Sequence, residues 1–124
     1  MAERILIVDD DPLLCSLLRM ALNREGYETY EAFSGKAALE YLADQVVDLI
    51  LLDVMMADFN GFDVLRKLKA DPRLENVPVI FLTARVDTVS QKTGLDIGAV
   101  EYLTKPVTPD TLTKRVRAVL DAHA

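Results

Sequence analysis

Two stretches of this chain, Ile5-Leu6-Ile7-Val8 and Leu49-Ile50-Leu51-Leu52, contain no polar residue at all. A strand with one face in water alternates apolar and polar side chains, so an unbroken apolar run predicts a strand covered on both faces. That is the signature of a parallel sheet between two layers of helices. A third run, Val77 to Thr83, reads V-P-V-I-F-L-T. Two weaker strands are expected at Glu28 to Ala32, whose polar residues place it near an edge, and at Val100 to Leu103.

The intervals carry helical spacing. Leu14, Leu17 or Leu18, and Ala21 or Leu22 recur at i, i+3/4, i+7/8. Asp11-Pro12 offers an N-cap followed by proline at the first helical position, and Gly26 a C-terminal stop. Further helices are expected over Ala37 to Ala43 with Ser34 as cap, and over Phe62 to Lys69, ending near Asp71-Pro72. The last runs from Pro109 to Ala122, with Thr108 as cap and Leu112, Val116, Val119 and Leu120 turned inward. The stretch Asp87 to Ile97 is the weakest helix, because Thr88, Val89, Ser90, Thr93 and Gly94 are all poorer helix formers than alanine. Five strand–helix repeats predict an α/β doubly wound five-stranded parallel sheet with helices on both faces. The 124 residues suit one domain, 1–124, with no repeat or linker.

The formal charge of −6 argues against direct nucleic-acid binding by this domain. No apolar run approaches the roughly 20 residues of a membrane span, and the N-terminus does not read as a signal peptide. Cys15 is the only cysteine, so neither an internal disulfide nor a cysteine zinc site is available. We expect a cytoplasmic protein. Cys15 itself reads as a packed small residue, and His123 as a solvated tail. Lys114, Arg115 and Arg117 read as one solvated or partner-facing helix side.

In a parallel sheet the loops after the strands gather on one edge, where ligands bind. Asp9 and Asp10 follow the first strand, Asp53 the third, Thr83 ends the fourth and Lys105 follows the fifth. Asp11 reads as a helix cap only. Three carboxylates brought together repel one another at low dielectric unless a cation joins them. Oxygen ligands without histidine or thiolate select a hard cation, Mg²⁺ or Mn²⁺. Such a site is suited to a phosphoryl group. Asp53 is the natural nucleophile, since a carboxylate can attack phosphorus to form an acyl phosphate. Lys105 would neutralise charge on the transferred group and Thr83 would hydrogen-bond it.

With these residues in place the chain resembles the receiver domains of two-component response regulators, from about Arg4 to Leu120. The matching segments are I-L-I-V-D-D at 5–10, L-I-L-L-D-V-M-M at 49–56, Gly61, F-L-T-A at 81–84 and G-A-V-E-Y-L-T-K-P at 98–106. The resemblance implies strand order 2-1-3-4-5 and phosphorylation of Asp53 from a histidine kinase or histidine phosphotransfer protein. It implies Mg²⁺ held by Asp10, Asp53 and the backbone carbonyl of Met55, with Asp9 acting through a bound water. It also implies a cis Lys105–Pro106 bond and a switch pair, Thr83 and Tyr102, with the Tyr102 ring turning inward as Thr83 moves. The output would be read by a downstream protein on the surface of the fourth helix, fifth strand and fifth helix, by a monomer or a phosphorylation-dependent dimer. Many receivers have Met-Pro where this chain has Met56-Ala57. Met55 and Arg85 occupy positions that tune phosphoryl lifetime in the family. An apolar Met55 cannot hydrogen-bond an attacking water, so slow self-dephosphorylation is expected.

Two other functions fit parts of the pattern. A phosphorylation-independent pseudo-receiver would signal by binding alone, but Asp53, Thr83 and Lys105 are intact. Asp9-Asp10-Asp11 also resembles the D-x-D of haloacid-dehalogenase phosphohydrolases. Leu13 stands where those enzymes have threonine or valine, and 124 residues leave little room for their core and cap. A flavin-binding domain of similar topology would have a hydroxyl-rich loop after the first strand, where this chain has acids. We expect a phosphoacceptor rather than an enzyme, either standing alone or cut from a longer protein.

Overall fold

A computed structural model describes residues 2–123. Five strands, β1 (Arg4–Val8), β2 (Glu28–Ala32), β3 (Leu49–Leu52), β4 (Val79–Thr83) and β5 (Glu101–Thr104), alternate with five helices. These are α1 (Pro12–Arg24), α2 (Gly35–Leu42), α3 (Gly61–Lys69), α4 (Thr88–Ile97) and α5 (Pro109–Ala122). All strand pairs are parallel, in the order β2-β1-β3-β4-β5.

The unbroken apolar runs have the expected cause. Alternate residues of one strand serve opposite layers. In β3, Ile50 and Leu52 pack with Ala38, Leu42, Val64, Leu65 and Leu68 of α2 and α3. Leu49 and Leu51 pack with Cys15, Leu18 and Leu22 of α1 and Leu112, Val116 and Leu120 of α5. Neither side of the strand meets water, so neither side is polar.

Caps fix where the helices begin. Asp11 accepts from the amides of Leu13 and Leu14, Ser34 from Ala37 and Thr108 from Thr111. Asn60 and Asp87 cap α3 and α4 in the same way. Helix α2 starts two residues before the expected Ala37, directly after its cap Ser34. Strand β4 starts at Val79 rather than Val77: Pro78 has no amide to give a ladder, though its carbonyl accepts from Ile50. Strand β5 lies one residue later than expected.

The structure adds detail to three side-chain expectations. Of the alternatives offered for α1, Leu18 and Leu22 are the buried choices and Cys15 joins them, while Leu17 is 56% exposed. His123 is exposed, as expected, and is also the C-cap of α5, its backbone amide donating to the Val119 and Leu120 carbonyls and its Nδ1 lying 2.9 Å from the Val119 carbonyl. Lys114 and Arg117 lie on the exposed side of α5, where Arg115 pairs with Glu101 and Arg117 with Glu3 and Asp121.

Candidate functional site

The carboxyl ends of β1 and β3 lie side by side, with Val8 in register with Leu52. The next residue of each strand is therefore delivered to the same point: Asp9 after Val8 and Asp53 after Leu52. One carboxylate oxygen from each of Asp9, Asp10 and Asp53 falls within 4.8 Å of the others. Asp9 and Asp53 are buried and Asp10 is exposed. The cluster therefore has two fixed acids at its floor and one at its rim.

Lys105 closes the site from β5. Its Nζ donates to Asp9 Oδ2 at 2.7 Å and to Asp53 Oδ2 at 3.0 Å. Its backbone amide donates to the Thr83 carbonyl at 2.8 Å, which extends the β4–β5 ladder past its last pair, Thr83 and Thr104. The Lys105–Pro106 bond is cis, as expected. Burial disfavours the Lys105 ammonium, but hydrogen bonds to Asp9 and Asp53 outweigh it and hold its pKa above the ordinary lysine value. Burial pushes the Asp9 carboxyl up, against the opposing pull of Lys105 and of the Asp11 amide. One ammonium is thus shared by two of the three acids. The all-oxygen donor set fits a hard divalent cation better than zinc or copper.

The loop after β3 is tightly built. The Met55 amide donates to Asp53 Oδ1 at 3.1 Å, and the Gly61 amide to the Val54 carbonyl at 2.8 Å. A Cβ at Gly61 would lie 2.2 Å from the Asp53 carbonyl oxygen, so only glycine lets the start of α3 approach this closely. The Met55 side chain is more than half exposed. Between them stands Asp58, a residue that sequence reasoning missed. Its carboxylate accepts from the amides of Gly35 and Lys36 at the start of α2. No local spacing signals this contact, because the partners are 22 and 23 residues apart.

Thr83 is fully buried at the end of β4, and its Oγ1 accepts from the Arg85 amide at 3.2 Å. The Tyr102 ring already lies inward, against Phe81, and its hydroxyl donates to the Arg85 carbonyl at 2.7 Å. Arg85 is thus tied at its amide to Thr83 and at its carbonyl to Tyr102. The resemblance singled Arg85 out as a position that tunes phosphoryl lifetime, and its place as the link between Thr83 and Tyr102 emerges only in three dimensions. The five expected side chains all lie at this edge of the sheet. Asp9, Asp10, Asp53 and Lys105 form one cluster, and Thr83 stands on the strand between Asp53 and Lys105.

This architecture matches known proteins along almost its whole length. The family model described as the response regulator receiver domain matches residues 5–117. The DNA-binding response regulator MtrA of Mycolicibacterium smegmatis is 45% identical over 120 residues, which is 97% of this chain and 51% of that protein. A probable cyclic di-GMP phosphodiesterase of Vibrio cholerae is 40% identical over 116 residues, 94% of this chain and 26% of its own length. The chain thus spans about half the length of MtrA and a quarter of the phosphodiesterase. Among solved structures, a CheY-like response regulator receiver domain protein from Methanospirillum hungatei superposes with a TM-score of 0.94 at 28% identity. That alignment covers 99% of this chain and 97% of the other. The receiver domain of Francisella response regulator 1452 gives 0.91 at 32% identity, covering 98% and 99%. The chain therefore belongs to the response regulator receiver domain family, the phosphoacceptor switches of two-component signalling.

Proposed function

We propose that Asp53 is the residue that accepts the phosphoryl group, from a phosphohistidine on a partner kinase or phosphotransfer protein. The observation that carries this reading is the Lys105 ammonium bridging Asp53 and Asp9 at hydrogen-bond distance, beside the exposed Asp10. A carboxylate oxygen of Asp53 attacks phosphorus, the P–N bond to the imidazole breaks, and the leaving nitrogen takes up a proton. Asp9, Asp10, Asp53 and the backbone carbonyl of Met55 are the groups that would hold Mg²⁺ or Mn²⁺. The bound cation would supply positive charge to the phosphoryl oxygens.

Lys105 is oriented toward Asp53 before any reaction, so little reorganisation is needed to place its charge on the new phosphate. The added group brings negative charge and three acceptor oxygens to an edge where Thr83 is buried one strand away. Differential contacts from Thr83 and Lys105 would bias a pre-existing equilibrium between two surface states. The chain Thr83–Arg85–Tyr102 carries that bias to α4, β5 and α5, where a downstream protein reads it. We read the domain as an acceptor that assists its own modification and its slow removal, working in the cytoplasm, rather than as a turnover enzyme.

Incubation with acetyl phosphate and Mg²⁺, followed by intact mass, tests the acceptor. Native chain should gain one phosphoryl group and Asp53→Asn none. Labelling of Asp53→Asn to the native extent would refute the assignment.

A further inference from the structure

The acidic site depends on a loop that crosses from β3 to α3, residues 53–61, and the middle of this loop is tied to another part of the fold. Asp58 reaches α2. Its Oδ1 accepts from the Gly35 amide at 3.1 Å and its Oδ2 from the Lys36 amide at 2.9 Å. These are the first two amides of the helix, which have no partner inside it. The third, from Ala37, goes to Ser34 Oγ at 3.0 Å. One helix end is thus capped by two different segments: Ser34 from its own chain start, and Asp58 from the active-site loop.

Packing reinforces the tie. A Cβ at Gly35 would lie 2.9 Å from Val64 Cγ2 and 3.0 Å from Phe59 Cβ, so the start of α2 sits flush on the residue that follows Asp58. The Asp58 carboxyl lies below the usual carboxylate range because the Lys36 amide, and then that of Phe59, favour its charged form. At the loop's two ends, Met55 is held to Asp53 Oδ1 and Gly61 to the Val54 carbonyl. Its middle is held by Asp58.

We propose that Asp58 is a positioning residue for the cation site: by pinning the loop to the first turn of α2, it sets the backbone at Met55. The inference rests on the reading that Asp53 and the Met55 carbonyl take part in holding a divalent cation. Asp58 itself touches neither the cation nor the phosphoryl group. In a chain with alanine at position 57, a side-chain tie replaces part of the stiffness that a rigid ring would give the loop.

The test is Mn²⁺ affinity, read from the free-ion electron paramagnetic resonance signal, with thermal unfolding measured alongside. The chains compared are native, Asp58→Ala, Asp58→Asn, Ser34→Ala and Asp53→Asn. Asp58→Ala should bind Mn²⁺ about tenfold more weakly, the usual scale for removing a group that supports a ligand. Asp58→Asn keeps one acceptor oxygen and should fall between Asp58→Ala and native. Ser34→Ala removes a cap from the same helix end without touching the loop, so it should unfold at lower temperature and bind Mn²⁺ as native does. Native affinity in Asp58→Ala, or equal weakening in Ser34→Ala, would overturn the proposal. If Asp58→Ala does not fold, native affinity in Asp58→Asn overturns it instead. A native chain that binds no Mn²⁺, or Asp53→Asn binding as tightly as native, would instead defeat the cation reading and this inference with it.

Discussion

Asp9 sits at the junction between chemistry and packing. It is buried, yet it holds Lys105 on one oxygen and the Asp11 amide on the other. Its own carbonyl accepts from Cys15 Sγ at 3.5 Å. Burial, followed by the negative charges of Asp9, Glu31 and Asp11, pushes the Cys15 thiol up to about 12. Raising an acid's pKa favours its protonated form in the fold, so native Cys15 stays a thiol from neutral pH to well above 9. Iodoacetamide at pH 8 should therefore leave native chain unlabelled and modify the unfolded chain fully, as read by intact mass. Stoichiometric labelling of native chain would contradict this environment. The sequence read Cys15 as a packed residue and left open Leu17 or Leu18 and Ala21 or Leu22 for the inward stripe of α1, where Leu18 and Leu22 are the buried choices. Leu13, Leu17 and Met20 are all well exposed. Where apolar residues exceed what one face can bury, spacing alone does not reveal which of them face in.

Among the elements, α4 stands apart. Its buried residues are Ser90 and Gly94, while Val89 is 73% exposed and Leu95 45%. The sequence showed this weakness through poor helix formers, and the structure adds a reason for one of them. A Cβ at Gly94 would lie 3.0 Å from the Phe81 ring and 3.3 Å from Tyr102 Cδ2. Gly94 thus leaves room for the inward tyrosine. Gly94→Ala should raise helix propensity yet crowd Tyr102 out of its place, breaking its hydrogen bond to the Arg85 carbonyl. The predicted outcome is one phosphoryl group gained from acetyl phosphate at close to the native rate, with Tyr102 ring resonances moved toward solvent-exposed shifts in nuclear magnetic resonance spectra. Unchanged ring shifts would mean that α4 yields instead. Strand β3 and helix α5 were legible to the residue, because uninterrupted apolar character and a Thr-Pro start are local signals. Asn60 as the cap of α3 and Asp58 as a second cap of α2 were not. The first lay in a loop read for its missing proline, and the second depends on a contact between distant segments.

For the molecule as a whole, the sheet is the shared wall of two cores. Leu65 lies in one and Leu112 in the other, each no more than 1% exposed. Truncating either to alanine should cost about 2–5 kcal/mol. In urea, both variants should shift one common transition followed by circular dichroism, because neither layer keeps its partner surface without the sheet. Separate transitions for the two variants would show layers that unfold independently. The wall also explains why the site was readable from sequence while its linkages were not. Strand ends announce themselves by where apolar runs stop, so Asp9, Asp53, Thr83 and Lys105 could be placed on one rim. How Arg85 joins Thr83 to Tyr102 depends on backbone geometry that no run of letters carries. Strand β5 is four residues long, holding Tyr102 within it and handing Lys105 to the acids immediately after it. On the proposed reading, receiving and broadcasting would therefore share one short piece of backbone with no insulation between them. Any redesign of the message through β5 would retune the antenna as well.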